Sequence, residues 1–112
     1  MTDIDEAMDW QGNELHCADC QNRAISDAGR CQLLHACVQD RYAKRIDRFF
    51  EWNPTLAVEY LAHPYFEVRA VAAKHVDVFH LPRLINDPDE TVRWSAAAAI
   101  APFAADAHRP GS

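Results

Sequence analysis

Moving Pro64, Val68, Arg69, Ala72 and Ala73 forward by 24 positions lands on Pro88, Val92, Arg93, Ala96 and Ala97, and this internal period constrains the fold more than any other feature of the chain. A unit of 24 residues cannot bury an apolar face alone, so such units must stack on their neighbours as a short solenoid. Moving back by 24 from Arg69 reaches Arg45, in the segment Asp40 to Phe50, which reads as a third and more degenerate unit. Each unit combines one longer helix with one short one. Asp87-Pro88-Asp89-Glu90 offers an N-cap, a first-position proline and a capping-box glutamate. Val92, Ala96, Ala99 and Ile100 then recur at helical spacing, and Pro102 supplies a stop. Pro64 starts the equivalent helix, with Val68, Val71 and Ala72 on its buried face. Leu81-Pro82-Arg83-Leu84-Ile85 is long enough only for a brief helical turn. The fold class is all-α, and the runs of alanine suit close helix approach.

With 112 residues, 49% of them apolar and 25% charged, the chain has one domain's worth of sequence in the globular range. Three glycines and three serines cannot assemble a phosphate loop, a dinucleotide fingerprint or a serine-hydrolase elbow. The net charge of −6 is concentrated at one end: residues 1 to 22 hold Asp3, Asp5, Glu6, Asp9, Glu14 and Asp19 and no Lys or Arg. From Arg23 onward eleven basic residues face eleven acidic ones, so there is no basic stripe for nucleic acid. No run approaches the about 20 apolar residues of a membrane span, and the start has no signal-peptide pattern, so a cytoplasmic protein without nucleic-acid or membrane partners is expected.

In a reducing compartment four cysteines read as metal ligands or redox thiols rather than as two disulfides. The spacing is Cys17-x2-Cys20-x10-Cys31-x5-Cys37. A C-x2-C pair sets two sulfurs on one turn, and a second pair brought back by a loop can complete four thiolates. Zinc and an iron-sulfur cluster both remain open on spacing, and Cys17, Cys20, Cys31 and His35 form a rival zinc set with Cys37 left over. Arg30, Arg41, Lys44, Arg45 and Arg48 flank the last two cysteines and could compensate a buried negative cluster. A helix beginning near Cys37 would turn its amides toward the sulfurs.

The run Cys37-Val-Gln-Asp-Arg-Tyr-Ala-Lys-Arg-Ile-Asp-Arg-Phe-Phe50, then Asn53-Pro54, Tyr60-Leu-Ala-His-Pro-Tyr-Phe-Glu-Val-Arg-Ala70 and Asp87-Pro-Asp-Glu-Thr-Val-Arg-Trp94, resembles the leucine-rich-repeat variant proteins that bear an N-terminal 4Fe-4S domain. The resemblance covers about residues 17 to 101. It implies a short right-handed α-solenoid of alternating α- and 3-10 helices, capped by a four-cysteine domain, and a setting among nitrogen-fixing bacteria. It also implies Cys17, Cys20, Cys31 and Cys37 as ligands of a 4Fe-4S cluster, with zinc as the alternative. The organisation expected is an acidic lead at 1–16, a cluster cap at 17–50, repeats at 51–104 and a flexible tail at 105–112. This chain stops soon after Pro102, where longer members of the family add repeats, so an extended concave surface is not part of the expectation.

No catalytic acid-base pair or nucleophile stands out, and a non-enzyme is expected. His16, His63, His75, His80 and His108 show no paired spacing, and His35 reads as a local hydrogen-bonding group once four cysteines are available. The Arg45, Arg69, Arg93 ladder reads as pairing with acids of neighbouring units. Tyr42, Phe49, Phe50, Trp52, Tyr60, Tyr65 and Phe66 read as packing between cap and first repeat. Trp94 takes the position of Ala70 one unit earlier; a partner surface and capping by the tail Phe103 to Pro110 are equally open. The functional expectation is an interaction or electron-transfer accessory to nitrogen fixation, with a nitrogenase component or cofactor-assembly factor as protein partner. The alternatives are an adaptor with a structural metal site and a redox or oxygen sensor.

Overall fold

In the computed structural model the described residues run from 7 to 107, with side chains as far as 102. Among them α- and 3-10 helices alternate: a 3-10 turn at Cys17–Asp19, α1 (Arg23–Asp27), α2 (Ala43–Trp52), a 3-10 helix at Pro54–Tyr60, α3 (Phe66–Ala72), 3-10 turns at Val78–His80 and Pro82–Leu84, and α4 (Glu90–Ala107). Extended pairing among the described residues amounts to the isolated antiparallel bridges Met8–Glu14 and Gln32–Ala36. No helix among the described residues is long and apolar enough to cross a membrane. The chain divides into two compact units, Met1–Leu56 and Ala57–Ser112.

The first unit is larger at both ends than the expected cap at 17–50. At its end α2 continues to Trp52, and the fully buried Asn53 secures it. Its backbone N–H donates to Phe49 C=O at 2.9 Å, and its Nδ2 donates to Phe49 C=O at 3.0 Å and to Arg30 C=O at 2.7 Å. At its start the acidic stretch is folded from Ala7 on. Asp9 Oδ1 accepts the N–H groups of Gln11 at 2.9 Å and Asn13 at 2.8 Å, and Gly12 takes the left-handed conformation (φ +88°) that closes the turn. Arg41 N–H then donates to Met8 C=O at 3.2 Å, fastening this hairpin ahead of α2. The core of the unit is Ala36, Val38, Ile46, Phe49 and Phe50, the two phenylalanine rings meeting edge to face at 5.4 Å.

In the second unit α3 lies against α4. Val68, Val71 and Ala72 are buried, as are Val92 and Ala96, whereas Ala99 and Ile100 are only half-buried. The small Ala70, Ala72, Ala73 and Ala96 let the helices approach until Ser95 Oγ donates to Ala70 C=O at 2.6 Å. Trp94, one period after the buried Ala70, is 67% exposed. The brief turn expected near Pro82 is the 3-10 turn Pro82–Leu84. Pro102 does not stop α4, whose backbone continues to Ala107. A mid-helix proline removes one backbone hydrogen bond, at a cost of about 3 kcal/mol. The alanines on both sides, the best helix formers, carry the helix across it. The tail placed at 105–112 therefore begins inside α4, and residues 108–112, like the side chains that would let Phe103 to Pro110 cover Trp94, lie outside those described.

The start of α4 also differs from expectation. Asp87 is not its N-cap, because its carboxylate is already engaged: Oδ2 accepts Arg69 Nε–H at 2.9 Å, and Oδ1 accepts Arg69 Nη2–H at 3.1 Å and Asp89 N–H at 2.9 Å. The helix begins two residues later, where Asp89 Oδ1 accepts Thr91 N–H at 2.9 Å. One period earlier His63 stands in the place of Asp87. Its Nδ1 accepts Tyr65 N–H at 3.0 Å. Burial, reinforced by the Arg69 guanidinium, lowers the His63 pKa and favours the neutral ring. Arg69 Nη1 donates to His63 C=O at 2.7 Å, and Arg93 Nη1 to Asp87 C=O at 2.7 Å. The arginine ladder is thus structural, each guanidinium tying a helix to the loop that leads into it, and Arg69 reaching on to the next.

Burial works to raise the Asp87 pKa, but the Arg69 hydrogen bonds, the Asp89 N–H and the charges of Arg69 and Arg93 outweigh it and hold it below the usual carboxylate value. A carboxylate depressed in the folded state stabilises it above the unfolded pKa of about 4 and loses that contribution as pH falls through the folded value. Asp87→Ala leaves the Arg69 guanidinium, only 13% exposed, without its anion, and should cost about 3 kcal/mol in chemical denaturation. In Asp87→Asn the loss of stability below about pH 4 should be shallower than in the wild type, measured as melting temperature against pH.

Candidate iron-sulfur site

Local turns bring the four cysteines together. Cys17 opens a 3-10 turn that closes when Cys20 N–H donates to Cys17 C=O at 3.2 Å, which is what the x2 spacing permits. The ten residues that follow hold α1, and Gly29 ends it (φ +75°). Gly29 N–H donates to Ser26 C=O at 2.9 Å and Arg30 N–H to Ile25 C=O at 2.9 Å, the Schellman arrangement that returns the chain to Cys31. The x5 interval is a tight loop. Gln32 N–H donates to Ala36 C=O at 2.7 Å and Ala36 N–H to Gln32 C=O at 2.8 Å, so Cys31 and Cys37 flank a closed bridge with Leu34 at φ +65° at its tip. Cys37 N–H donates to Arg45 C=O of α2 at 3.0 Å, and its neighbours Ala36 and Val38 are core residues, so the fourth cysteine is the one anchored in the unit's interior.

All four thiols are free and half-buried, and all four line one pocket. Among the described residues no three His, Cys, Asp or Glu side chains converge as a single-ion site would need. Four thiols facing one pocket form a donor set suited to an iron-sulfur cluster or to thiolate-held zinc. Hydrogen-bond donors are turned toward the sulfurs. Asn22 N–H donates to Cys20 Sγ at 3.4 Å, the Ser26 hydroxyl to Cys31 and the Gln39 N–H to Cys37, while the Asp40 N–H donates to the Cys37 carbonyl at 3.4 Å. Such donors disperse thiolate charge.

Three of the flanking cations are engaged by groups other than the sulfurs. Arg45 Nη1 donates to Asp40 Oδ2 at 3.0 Å, Arg41 lies over the Tyr42 ring at 5.4 Å, and Arg48 Nη1 donates to His35 C=O at 3.0 Å with His35 Nδ1 at 3.3 Å. His35, also 5.5 Å from the Trp52 ring, is not on the pocket wall. Nor does α2 present its N-terminus to Cys37, since it begins six residues later at Ala43. The hydrogen bonds to the sulfurs come from backbone amides and the Ser26 hydroxyl. Sequence reasoning missed these donors, and also missed Leu15 and His16, which lie in the stretch read as an acidic lead yet line the pocket. The one available signal was an offset: Asn22 follows Cys20 by two residues, as Gln39 follows Cys37.

Burial pushes the Cys37 thiol up to about 12; the Gln39 and Asp40 N–H groups oppose this, and the charges of Asp40 and Cys20 add to it. Burial likewise raises Cys31, with Cys17 and Cys20 adding and Ser26 opposing. Bound thiolates must shed these protons, so retention of the bound group against a chelator should strengthen as pH rises. Ser at any one of Cys17, Cys20, Cys31 or Cys37 should diminish the broad ~400 nm absorption of the anaerobically isolated protein. Leu34, a left-handed non-glycine at an exposed loop tip, offers a separate check. Leu34→Gly should stabilise the metal-free chain by about 1 kcal/mol in denaturant titration, because the left-handed conformation costs a side-chain-bearing residue about that much.

Residues 7–59 match the family model described as "LRV protein FeS4 cluster". An uncharacterized 27.7 kDa protein in the nifB 3′ region of Rhodobacter capsulatus is 48% identical over 95 residues, which span 85% of this chain and 39% of the relative. A solved structure described as a leucine-rich repeat variant with a novel repetitive protein structural motif superposes with a TM-score of 0.71 at 44% identity, covering 74% of this chain and 36% of that one. The chain thus spans well under half the length of the relatives it matches. The helical alternation and the 24-residue period agree with these matches: this chain is a member of the leucine-rich-repeat variant proteins, with the FeS4-cluster family match over residues 7–59.

Proposed function

We propose that Cys17, Cys20, Cys31 and Cys37 hold a 4Fe-4S cluster that exchanges electrons with a protein partner in nitrogen fixation, a nitrogenase component or a cofactor-assembly factor. The observation that carries this reading is the four-thiol pocket together with the groove beside it. An open groove shares Cys20 with the pocket and is walled by Glu14, His16, Asp19, Gln21 and Gln39. A cluster ligand at the floor of a groove gives a short route for electrons, and the groove's acids, within a stretch of six acids and no bases, favour a partner with a basic rim. The nif-region relative supports the setting. The matched family is a repeat and cluster family, which supports a role without catalysis.

A second reading, a structural cluster in an adaptor, draws on one observation: the turn Cys17–Asp19 and α1 contain no buried residue, so this segment has little core of its own and a bound group would supply its folding energy. Anaerobic isolation with iron and sulfide analysis, followed by EPR-monitored reduction, tests both. A reducible cluster whose electron exchange with a purified nitrogenase component slows in Glu14→Lys/Asp19→Lys, most strongly at low salt, is the expected result. A cluster that no physiological reductant reduces, whose removal disorders residues 17–37 in hydrogen exchange, would favour the adaptor, and zinc in place of iron would overturn the redox reading.

A further inference from the structure

Asp40 lies three residues before α2, as His63 lies before α3 and Asp87 before α4, and like them accepts the N–H two residues on: Tyr42 N–H donates to Asp40 Oδ1 at 2.9 Å. In this register Cys37 occupies the position of Tyr60 and Leu84 in the later units. The cysteine thus sits on a joint that the repeats use for turning into a helix. One feature of the joint changes where the cysteine appears. In the later units the arginine of the helix donates to the backbone carbonyl of the joint residue, whereas Arg45 Nη1 reaches the Asp40 carboxylate at 3.0 Å. Asp40 is fully buried and Arg45 is 8% exposed, with its guanidinium over the Tyr42 ring at 4.8 Å.

Both charges are tied to Cys37. The Asp40 N–H donates to the Cys37 carbonyl at 3.4 Å, and Cys37 N–H donates to the Arg45 carbonyl at 3.0 Å. A buried ion pair contributes little net stability compared with apolar residues of the same size, because the desolvation of two charges offsets their attraction. Out of water, however, each charge acts on its surroundings with little screening, and charges near the sulfur ligands are among the means by which a protein sets a cluster's potential. We infer that the Asp40–Arg45 pair is the electrostatic trim of the Cys37 side of the site, with Asp40 holding the reduction potential of the bound group down and Arg45 holding it up. This rests on the reading that the four cysteines carry an iron-sulfur cluster. Asp40 and Arg45 are positioning residues here, acting on the cluster through Cys37.

The test is EPR-monitored redox titration of the anaerobically isolated full chain, with iron and sulfide measured on every sample. Asp40→Asn keeps an acceptor for Tyr42 N–H and removes the anion, so the potential should shift positive. Arg45→Gln removes the cation and should shift it negative, and the charge-keeping Arg45→Lys should stay near the wild type. Shifts of opposite sign are the signature, because a loosened turn would move both variants the same way. Shifts of one sign, no shift with full iron content, or loss of iron in the neutral variants while Arg45→Lys retains it would each overturn the inference and leave the cluster reading intact. An iron-free wild type would overturn the cluster reading and this inference with it.

Discussion

A side-chain acceptor three residues ahead of a helix, taking the backbone N–H two residues on, is the constraint around which both units are organised. Asp40, His63 and Asp87 fill that position before α2, α3 and α4. Each bends the chain sharply enough to enter a helix from a short connection. Each also needs a compensating group, since a buried or half-buried polar atom left unmet would cost more than the turn gains. The arginine two or three residues into the following helix supplies it, at Asp40 through the carboxylate and at His63 and Asp87 through the carbonyl. Arg69 goes further and couples its own helix to the Asp87 joint of the next repeat. Units of 24 residues have too little apolar surface to be held by burial alone. A polar clamp between successive joints adds a directional restraint that alanine packing lacks.

The cysteine site is built from the same economy of short turns. Between Cys17 and Arg30 the helical segments contain no buried residue, and the chain is shaped by a 3-10 turn, five residues of α1 and a Schellman ending at Gly29. Cys37 differs from the other three in being anchored on core neighbours and on an α2 carbonyl. The site therefore has a firm side at Cys37 and a lightly supported side at Cys17 and Cys20, and the lightly supported side opens to the groove.

Much was legible in the residues themselves. The 24-residue period, the helical face of Val68, Val71 and Ala72, the brief turn at Pro82 and the structural use of the arginines all follow from spacing and side-chain type, because stacking, helical periodicity and proline geometry are local or repeating constraints. Spacing alone left Cys17, Cys20, Cys31 and His35 as a rival to the four cysteines, and the family resemblance pointed to the four; the fold puts all four cysteines on one pocket wall and leaves His35 off it. Three things depended on tertiary structure. Asp87 looked like an N-cap and became the partner of Arg69, a residue eighteen positions away, because a carboxylate within reach of a guanidinium prefers the charge-assisted bonds. Leu15 and His16 joined the pocket because a hairpin fastened to Arg41 carries them there, which no local pattern shows. The donors at the sulfurs proved to be backbone amides and the Ser26 hydroxyl, and amide direction is set by turn geometry and not by residue identity. Sequence determined the repeat and the helical class; only the fold decided which charges meet, which cysteine opens onto the groove, and which of the four is anchored in the core.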